Sequence, residues 1–331
     1  MDTLSLDIAK DSFVAFLTDS AGQPVYAQPR SFTYSARGLS QLRKWMRDPA
    51  DTRIVFESTG VYGKRIIKAF DGVVASIHEL NPQIVHRFAT SMVQTKTDHA
   101  DVRAIADVLH TLQLKRPEKL EQSRVSFEKS RENLALWLAE YSRLSRAAAR
   151  LKNQIKNVGY AIADAAVTIK QRRRAELREL LAKKREVKRQ IVAAFDELED
   201  GKDAQRLCTI PGVKHLTAAA VIVTVRDISR FTSADALKAY LGIYPRRHQS
   251  GVKEGPTRLA TNGSRLVRHM LWNAARSAAR HNPVCKDLFE RLVARGKHEV
   301  AAYAAVMRKL VQIIYGILKT KTTFKIMGQP T

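Results

Sequence analysis

Residues 3–18, TLSLDIAKDSFVAFLT, contain two runs in which apolar and polar residues alternate. The first run is Thr3–Asp7 and the second is Ser12–Thr18. Alternation with a period of two is typical of a half-buried β-strand, so we predict one strand at each run. Asp7 lies at the end of the first strand, where desolvation penalises a carboxylate unless it is paired or bound to a metal ion.

The remainder of residues 1–112 is typical of alternating strands and helices. Gly22–Pro24 predicts a hairpin turn, after which Val25–Gln28 would form a third strand. The elements expected next are a helix at Leu39–Arg47, a strand at Arg53–Phe56, a helix from Ser58 to Phe70, a strand at Val73–Ile77, a helix opening at Asn81–Pro82 and a helix at Asp98–Leu114. This order predicts an α/β domain, with a mixed sheet and helices on its faces.

Residues 115–200 lose the strand pattern and become rich in Lys, Arg and Glu. Apolar residues recur there at helical spacing in two stripes, which are Leu134, Leu138, Tyr141 and Leu144, and then Leu177, Leu180, Leu181, Val187, Ile191 and Phe195. Both a surface helical hairpin and a coiled coil that pairs subunits or spans a nucleic acid fit this pattern.

Residues 201–331 are predicted to be mostly helical, with short Gly/Pro breaks. Ile210–Val213, followed by Thr217–Val221, resembles half of a helix-hairpin-helix, in which a tight turn offers backbone N–H groups to DNA phosphate. Lys214 stands where that motif usually has a second glycine. The elements expected after this turn are a Gly-rich basic loop at Tyr244–Ser264 and helices at Leu266–His281 and Val300–Lys319.

Charge is distributed unevenly along the chain, whose formal net charge is +25. Residues 201–331 hold 23 basic and 7 acidic residues, whereas residues 1–112 hold 13 basic and 12 acidic ones. A domain as basic as the C-terminal one repels itself unless a polyanion neutralises it, and nucleic-acid phosphate is the usual polyanion. Ribosomal and membrane-surface proteins are basic as well, so charge alone does not identify the partner.

The composition changes predict three domains, at residues 1–114, 115–200 and 201–331. We expect no membrane association, because no run of about 18 uncharged apolar residues occurs. The start of the chain, MDTLSLDIAK, carries acids before any apolar run and does not resemble a signal peptide. These features predict a cytoplasmic protein.

Four acids in the first domain are candidate ligands for two Mg²⁺ ions. Asp7 and Glu57 end predicted strands, and Asp98 and Asp101 lie three residues apart at a helix start, on one side of that helix. Strand ends and adjacent helix termini converge on one rim of an open sheet. Two ions about 4 Å apart there would serve an in-line phosphoryl transfer. Taken alone, Asp98 fits a helix N-cap and Asp101 fits the helix dipole better than either fits a metal ligand.

Two blocks of sequence resemble a known family. The first comprises Leu6–Lys10, Phe56–Tyr62 and Lys96–Ala104, and the second comprises Ile210–Gly212, Leu241–Gly251 and Met307–Leu310. In this order they resemble the DEDD insertion-sequence transposases, a group that includes Piv-type DNA invertases and bridge-RNA-guided recombinases. The resemblance implies an N-terminal RuvC-like domain of the RNase H fold, a coiled-coil middle and a mostly helical transposase domain.

The resemblance also implies a site and a mechanism. Asp7, Glu57, Asp98 and Asp101 would bind Mg²⁺, for which Mn²⁺ is the expected substitute. Ser250 would be the nucleophile that forms a covalent phosphoserine link to DNA. Members of the family are thought to act as tetramers, each a dimer of dimers, in which the serine of one subunit reaches the metal site of another. A structured guide RNA that pairs with donor and target DNA is implied for some members.

Ser250 also has a simpler interpretation, since a serine in a basic, Gly-flanked loop can donate a hydrogen bond to phosphate. As a nucleophile it would need activation by a base or a metal. Arg246 and Arg247 would grip the scissile phosphate, and His248 would contact phosphate or shuttle a proton. The remaining candidates for nucleic-acid contact are Lys214, Lys253, Arg258, Arg265 and Arg268.

Three functions fit these patterns. The first is a Mg²⁺-dependent transposase that joins strands through Ser250. The second is a RuvC-like hydrolytic nuclease, such as a junction resolvase, in which water replaces the serine. The third is a non-enzymatic packaging protein for RNA or DNA, whose acids are caps and salt-bridge partners.

Overall fold

A computed structural model of the chain describes two compact units, residues 1–128 and residues 129–331. The described residues are 1–58, 60, 62–82, 85, 98–161, 163–198, 201–246, 249–250, 253–254, 258–259 and 263–325. For residues 98–101 and for the short strands between 245 and 259, the description covers the backbone but not the side chains.

The first unit is built on a five-stranded sheet with the order β3-β2-β1-β4-β5. Its strands are β1 (Asp2–Ile8), β2 (Ser12–Thr18), β3 (Arg30–Thr33), β4 (Thr52–Glu57) and β5 (Ser76–Leu80). The first three strands pair antiparallel, whereas β4 runs parallel to both β1 and β5. The predicted mixed sheet is therefore confirmed, and its arrangement is consistent with an RNase H-like domain.

Helices cover both faces of this sheet. They are α1 (Ala36–Trp45), α2 (Gly63–Phe70), α3 (Asp98–Lys115) and α4 (Pro117–Ser123). One face of β1 and β4 presents Leu4, Leu6 and Phe56 to apolar residues of α1 and α2, such as Leu42 and Ile66. Alternate residues of a strand point to opposite sides of the sheet. The remaining strand residues therefore face the other side, where they pack on α3 and α4.

The third strand is not at Val25–Gln28, where we predicted it, but at Arg30–Thr33. The earlier segment lies between Pro24 and Pro29, which lack the N–H group that a ladder requires. Within it, the ring of Tyr26 stacks on that of Trp45 at a centroid distance of 4.7 Å. Backbone pairing there is limited to the bridge between Thr18 and Pro24, beside which the Val25 N–H donates to the Leu17 carbonyl at 2.9 Å.

Two further predicted boundaries are wrong. The helix predicted from Ser58 begins at Gly63, because Gly60 has a φ of +75° that an α-helix cannot continue. The strand predicted at Val73–Ile77 is β5, Ser76–Leu80, because Val73 and Val74 still donate to the Phe70 carbonyl as α2 ends. The helix predicted at Asn81–Pro82 falls largely outside the described residues.

The second unit is helical apart from short strands. Its helices are α5 (Lys129–Val158), α6 (Ala165–Asp196), α7 (Gly201–Cys208), α8 (His215–Val225), α9 (Ala234–Tyr240), α10 (Arg265–His281), α11 (Pro283–Ala294) and α12 (Glu299–Thr320). The long helices α5 and α6 pack on one another, and one end of this pair contributes Leu134, Leu138, Ile191 and Phe195 to the unit's core. The mostly helical second half is confirmed, whereas the coiled coil between subunits and the three-domain division stay predictions.

Among the described residues, α12 is long and apolar enough to cross a membrane by length and composition alone. It contains Arg308 and Lys309, so it differs from the uncharged run that we considered in the sequence. Its residues Val306, Leu310 and Ile314 are completely buried in the core that α12 shares with α9, α10 and α11. Burial in protein accounts for its apolar face without a lipid phase.

Gly212, in the turn between α7 and α8, provides a test of this packing. A Cβ atom there would lie 2.6 Å from the backbone nitrogen of Ala278, and the φ of Gly212 is +99°. Gly296 has a φ of +79° but open space around it. Gly296→Ala should lower the free energy of unfolding by about 1 kcal/mol through backbone strain. Gly212→Ala should cost roughly 1–3 kcal/mol more, because α10 must shift.

Chemical denaturation of the two variants measures this difference directly. Equal losses for both would contradict the close approach of the turn to α10.

Candidate active site

Asp7 and Glu57 lie side by side at the carboxyl edge of the sheet. The parallel register pairs Leu6 with Phe56, so the next residues along β1 and β4 are these two acids. Leu6 and Phe56 both belong to the core beneath α1 and α2. Because side chains alternate along a strand, both carboxylates belong to the opposite face, on neighbouring strands about 4.8 Å apart. Each side chain is partly exposed, so solvent or a substrate can reach it.

The first turns of α3 lie on this face, at the same edge. Val102 is completely buried and packs with Phe16, with Val14 beside them. Val14 is the cross-strand partner of Asp7, so this contact places the start of α3 near the end of β1. At its other end, α3 lies over the amino ends of the strands, where Leu109 and Thr3 line a common cavity.

Asp98 and Asp101 are in the first turn of α3, so its backbone brings both positions to the edge that holds Asp7 and Glu57. Their side chains lie outside the description. Among the side chains that the structure does describe, no three His, Cys, Asp or Glu groups are close enough to hold a metal ion. Two adjacent carboxylates beside a helix start are nevertheless the oxygen-rich surroundings that a hard divalent cation prefers, so the donor set fits such an ion.

Ser58 extends the ladder between β4 and β5 just beyond Glu57. Its N–H donates to the Leu80 carbonyl at 2.9 Å, and its hydroxyl donates to the Glu79 carboxylate at 2.7 Å. Glu79 is the partner of Phe56 in the parallel register, so it belongs to the face opposite Glu57. These bonds fix the end of β4, and Glu79 is not part of the four-acid set.

Tyr34 and Arg65 are also at this edge, although no sequence pattern indicated them. The Tyr34 hydroxyl donates to the Ala9 carbonyl at 2.9 Å, and the Arg65 guanidinium lies 5.1 Å from the Tyr34 ring centroid. Burial raises the pKa of Tyr34 to about 12, an effect that Arg65 opposes and the charge of Asp7 reinforces. The neutral phenol therefore fixes the turn after β1, close to Asp7.

The segment that contains Ser250 forms two short antiparallel pairings within the predicted loop. Pro245–Arg246 pairs with Arg258–Leu259, and Gln249–Ser250 pairs with Lys253–Glu254. The register makes Arg246 the partner of Arg258, and Ser250 the partner of Lys253. Four residues that we singled out are thus brought together in two cross-strand pairs. Arg247 and His248 lie outside the described residues.

The base of this segment is held tightly. Gly263 has a φ of +82°, and a Cβ atom there would lie 2.7 Å from the backbone of Leu241. Arg268 donates to the Gly263 carbonyl at 2.8 Å. Burial lowers the pKa of Arg268, and the nearby charge of Arg265 lowers it further. Arg268 therefore has a structural contact in addition to its predicted role at DNA.

The remaining predicted contact residue is Lys214. It is exposed and directly precedes α8, so its backbone adopts the extended conformation of an N-cap position. The backbone N–H groups of Thr217 and Ala218 both donate to the Lys214 carbonyl at about 3 Å. The turn before it thus aims the side chain of Lys214 away from the core, at the amino end of α8.

Comparisons with known proteins agree along nearly the whole chain. Residues 4–158 match the DEDD transposase family of the IS110 type, and residues 204–290 match the family described as Transposase IS116/IS110/IS902. A pilin gene-inverting protein of Moraxella lacunata is 24% identical over 97% of both chains. The transposase for insertion sequence element IS1111A of Coxiella burnetii is 26% identical over 97% of this chain and 91% of its own. These matches indicate an enzyme that acts on DNA with a divalent metal, against the packaging-protein hypothesis.

Val102 and Val108 test whether packing of α3 positions the acids. Both side chains are buried on the same helix. Val102 is near the edge of the sheet that holds Asp7 and Glu57, which we call the acidic edge, and Val108 is nearer the middle of α3. Each Val→Ala change should lower the free energy of unfolding by about 1–3 kcal/mol, because each leaves a cavity. Only Val102→Ala should raise the metal concentration needed for half-maximal DNA cleavage. An equal rise in both variants would mean that general instability, not positioning, sets the metal requirement.

Proposed function

The chain carries the matching domains of a DEDD-type insertion-sequence transposase and belongs to that family, and we propose that it cuts and rejoins DNA through a phosphoserine intermediate. In this proposal Asp7, Glu57, Asp98 and Asp101 hold two Mg²⁺ ions, and Ser250 is the nucleophile. The observation that carries it is the register of β1 and β4, which puts Asp7 and Glu57 on one face at the edge where α3 begins.

The four acids suit magnesium because they supply only carboxylate oxygens, and Mn²⁺ would substitute for the same reason. Bound there, the ions would stabilise charge on the attacking and leaving oxygens of an in-line displacement. The chain itself fixes the ligand positions. The ladder at Ser58 holds the end of β4, and the Tyr34 hydroxyl holds the turn after β1.

The serine step conserves the number of phosphate ester bonds. The Ser250 oxygen attacks phosphorus, a new P–O bond forms, and the P–O bond to the departing deoxyribose breaks. The hydroxyl proton ends on the departing oxygen. Rejoining reverses these changes with a different strand, so no energy-rich cofactor is required. Arg246 and Arg258, which are cross-strand partners, would hold the phosphate while this occurs.

We further propose that the chain works as a homo-oligomer, a dimer of dimers, and that a structured guide RNA pairs with both DNA partners. The far end of the α5–α6 pair leaves three large apolar side chains exposed, namely Tyr160, Val167 and Ile169. Exposed apolar surface of this kind is typical of a contact between subunits, as in the predicted coiled coil. The turn before α8, with Lys214, would contact the DNA backbone as a helix-hairpin-helix does.

Asp7→Asn tests the metal site. The amide keeps the size of the side chain but removes its charge, so DNA cleavage should fall at least about a hundredfold at the Mg²⁺ concentration that suffices for the unchanged chain. Asp11→Asn, which alters an exposed acid outside the four, is the matched control. Cleavage that is undiminished in Asp7→Asn would rule out the four-acid assignment.

Ser250→Ala tests the nucleophile. A covalent protein–DNA adduct should form with the unchanged chain and be trapped by denaturation in detergent, whereas Ser250→Ala should form none and should not recombine DNA. Ser229→Ala, at an exposed serine elsewhere in the second unit, should leave adduct formation intact. Cleavage without any adduct, and with full activity in Ser250→Ala, would instead identify the hydrolytic nuclease, with water as the nucleophile.

A further inference from the structure

A groove in the second unit lies outside every residue assigned above. It has a volume of about 560 Å³ and opens between α10 and the start of α12. Its lining residues are Trp272, Arg276, Lys297, His298, Glu299, Val300 and Tyr303. We infer that this groove binds one unpaired nucleotide of the DNA substrate, with its base on the aromatic rings and its phosphate on the basic rim.

The aromatic side of the groove is held rigidly. The rings of Trp272 and Tyr303 meet edge-on at a centroid distance of 6.0 Å, and Phe289 stacks behind Tyr303 at 4.6 Å. All three side chains are partly buried against the core of the second unit. Trp272 and Tyr303 both line the groove, and because their ring planes meet at 70°, a flat ligand can stack on one ring while it contacts the edge of the other.

The rim is basic. Arg276 and Lys297 are both exposed, and the Arg276 guanidinium lies 6.0 Å from the Tyr303 ring centroid. Glu299 is the acid of the lining, and it stands in the first turn of α12, where a carboxylate complements the helix dipole. A stacking surface beside cations is the combination with which proteins bind single-stranded nucleic acid.

Three N–H groups in the first turn of α12 already have acceptors within the chain, so we assign the phosphate contact to side chains. The N–H of Val300 donates to His298 Nδ1 at 3.2 Å, and those of Ala301 and Ala302 donate to the His298 carbonyl. With Nδ1 accepting, the proton of the neutral His298 ring is on Nε2, from which it can be donated to a ligand. Arg276, Lys297 and His298 therefore supply three donors around one opening.

The size of the groove and its aromatic lining both suit an unpaired base. A volume of about 560 Å³ falls within the roughly 300–1,000 Å³ of small-ligand pockets, so a single nucleotide fits. A base inside a duplex presents only its edge, whereas stacking needs its face. An enzyme that moves a strand from one duplex to another must unpair bases near the exchange point, so its own DNA substrate supplies such a base.

The test measures binding without chemistry. Affinity of the full chain is measured in the Ser250→Ala background by fluorescence anisotropy, so failure of the serine mechanism does not affect the readout. The probes are a continuous DNA duplex, the same duplex with a short single-stranded gap in one strand, and a version whose bridging single strand is RNA. The variants are Trp272→Leu, Trp272→Phe and Lys297→Ala. Matched controls are Trp137→Leu and Lys319→Ala, which alter exposed residues away from the groove.

Trp272→Leu and Lys297→Ala should each weaken binding of the gapped DNA about tenfold and change binding of the continuous duplex less than about twofold. Trp272→Phe, which keeps a ring, should retain most of the affinity, and both controls should behave as the parent. Lys297→Ala removes an exposed side chain, so it keeps the test decisive even if Trp272→Leu fails to fold. Equal losses on gapped and continuous DNA, unchanged affinity in Lys297→Ala, or a dependence on Trp272 confined to the RNA probe would each overturn the proposal.

Discussion

The parallel pairing of β1 with β4 is the constraint on which the acidic edge depends. It places Asp7 and Glu57 at the same level of neighbouring strands, and the buried Leu6 and Phe56 before them fix which way both acids face. Two carboxylates on neighbouring strands repel one another, so this placement has an electrostatic cost. A slip of one residue in either strand would turn a carboxylate into the apolar core, and burial of Leu6 and Phe56 opposes that slip. Hydrophobic packing thus holds the two carboxylates side by side on one face of the sheet.

The same packing governs the second half of the acidic edge. Val102 fits against Phe16 and Val14 on β2, and this contact determines where α3 begins relative to β1. Asp98 and Asp101 follow from it, since they occupy the turn just before Val102. On the other side of the sheet, Tyr34 joins β3 to the turn after β1 through the Ala9 carbonyl. The high pKa of Tyr34 keeps that phenol neutral over the whole physiological range, so the bond does not depend on pH.

Sequence alone predicts the elements whose pattern is set by burial. The strands predicted at Thr3–Asp7 and Ser12–Thr18 are where we expected them, although helices bury both faces of β1 and β2 and not one alone. Prediction from sequence fails where local backbone geometry sets the boundary of an element. Gly60 has a positive φ, so α2 begins only at Gly63. Prediction also fails for Tyr34 and Arg65, because contacts between residues far apart in the sequence leave no periodic signal. Asp7 and Glu57 could be identified from the sequence as candidates, because the ends of strands are recognisable there. That both lie on the same face of the sheet follows only from the register of β1 and β4.

In the segment that contains Ser250, two basic residues pair across the strands. Arg246 and Arg258 are cross-strand partners, and like charges directly opposite one another destabilise a strand pair. A pairing of two residues on each side is also marginal by itself in water. The structure fixes the ends of the segment where they join the helical core, because Gly263 lies against the backbone of Leu241. The two short pairings are therefore anchored by the backbone contact between Gly263 and Leu241, whereas their own ladder bonds add little stability.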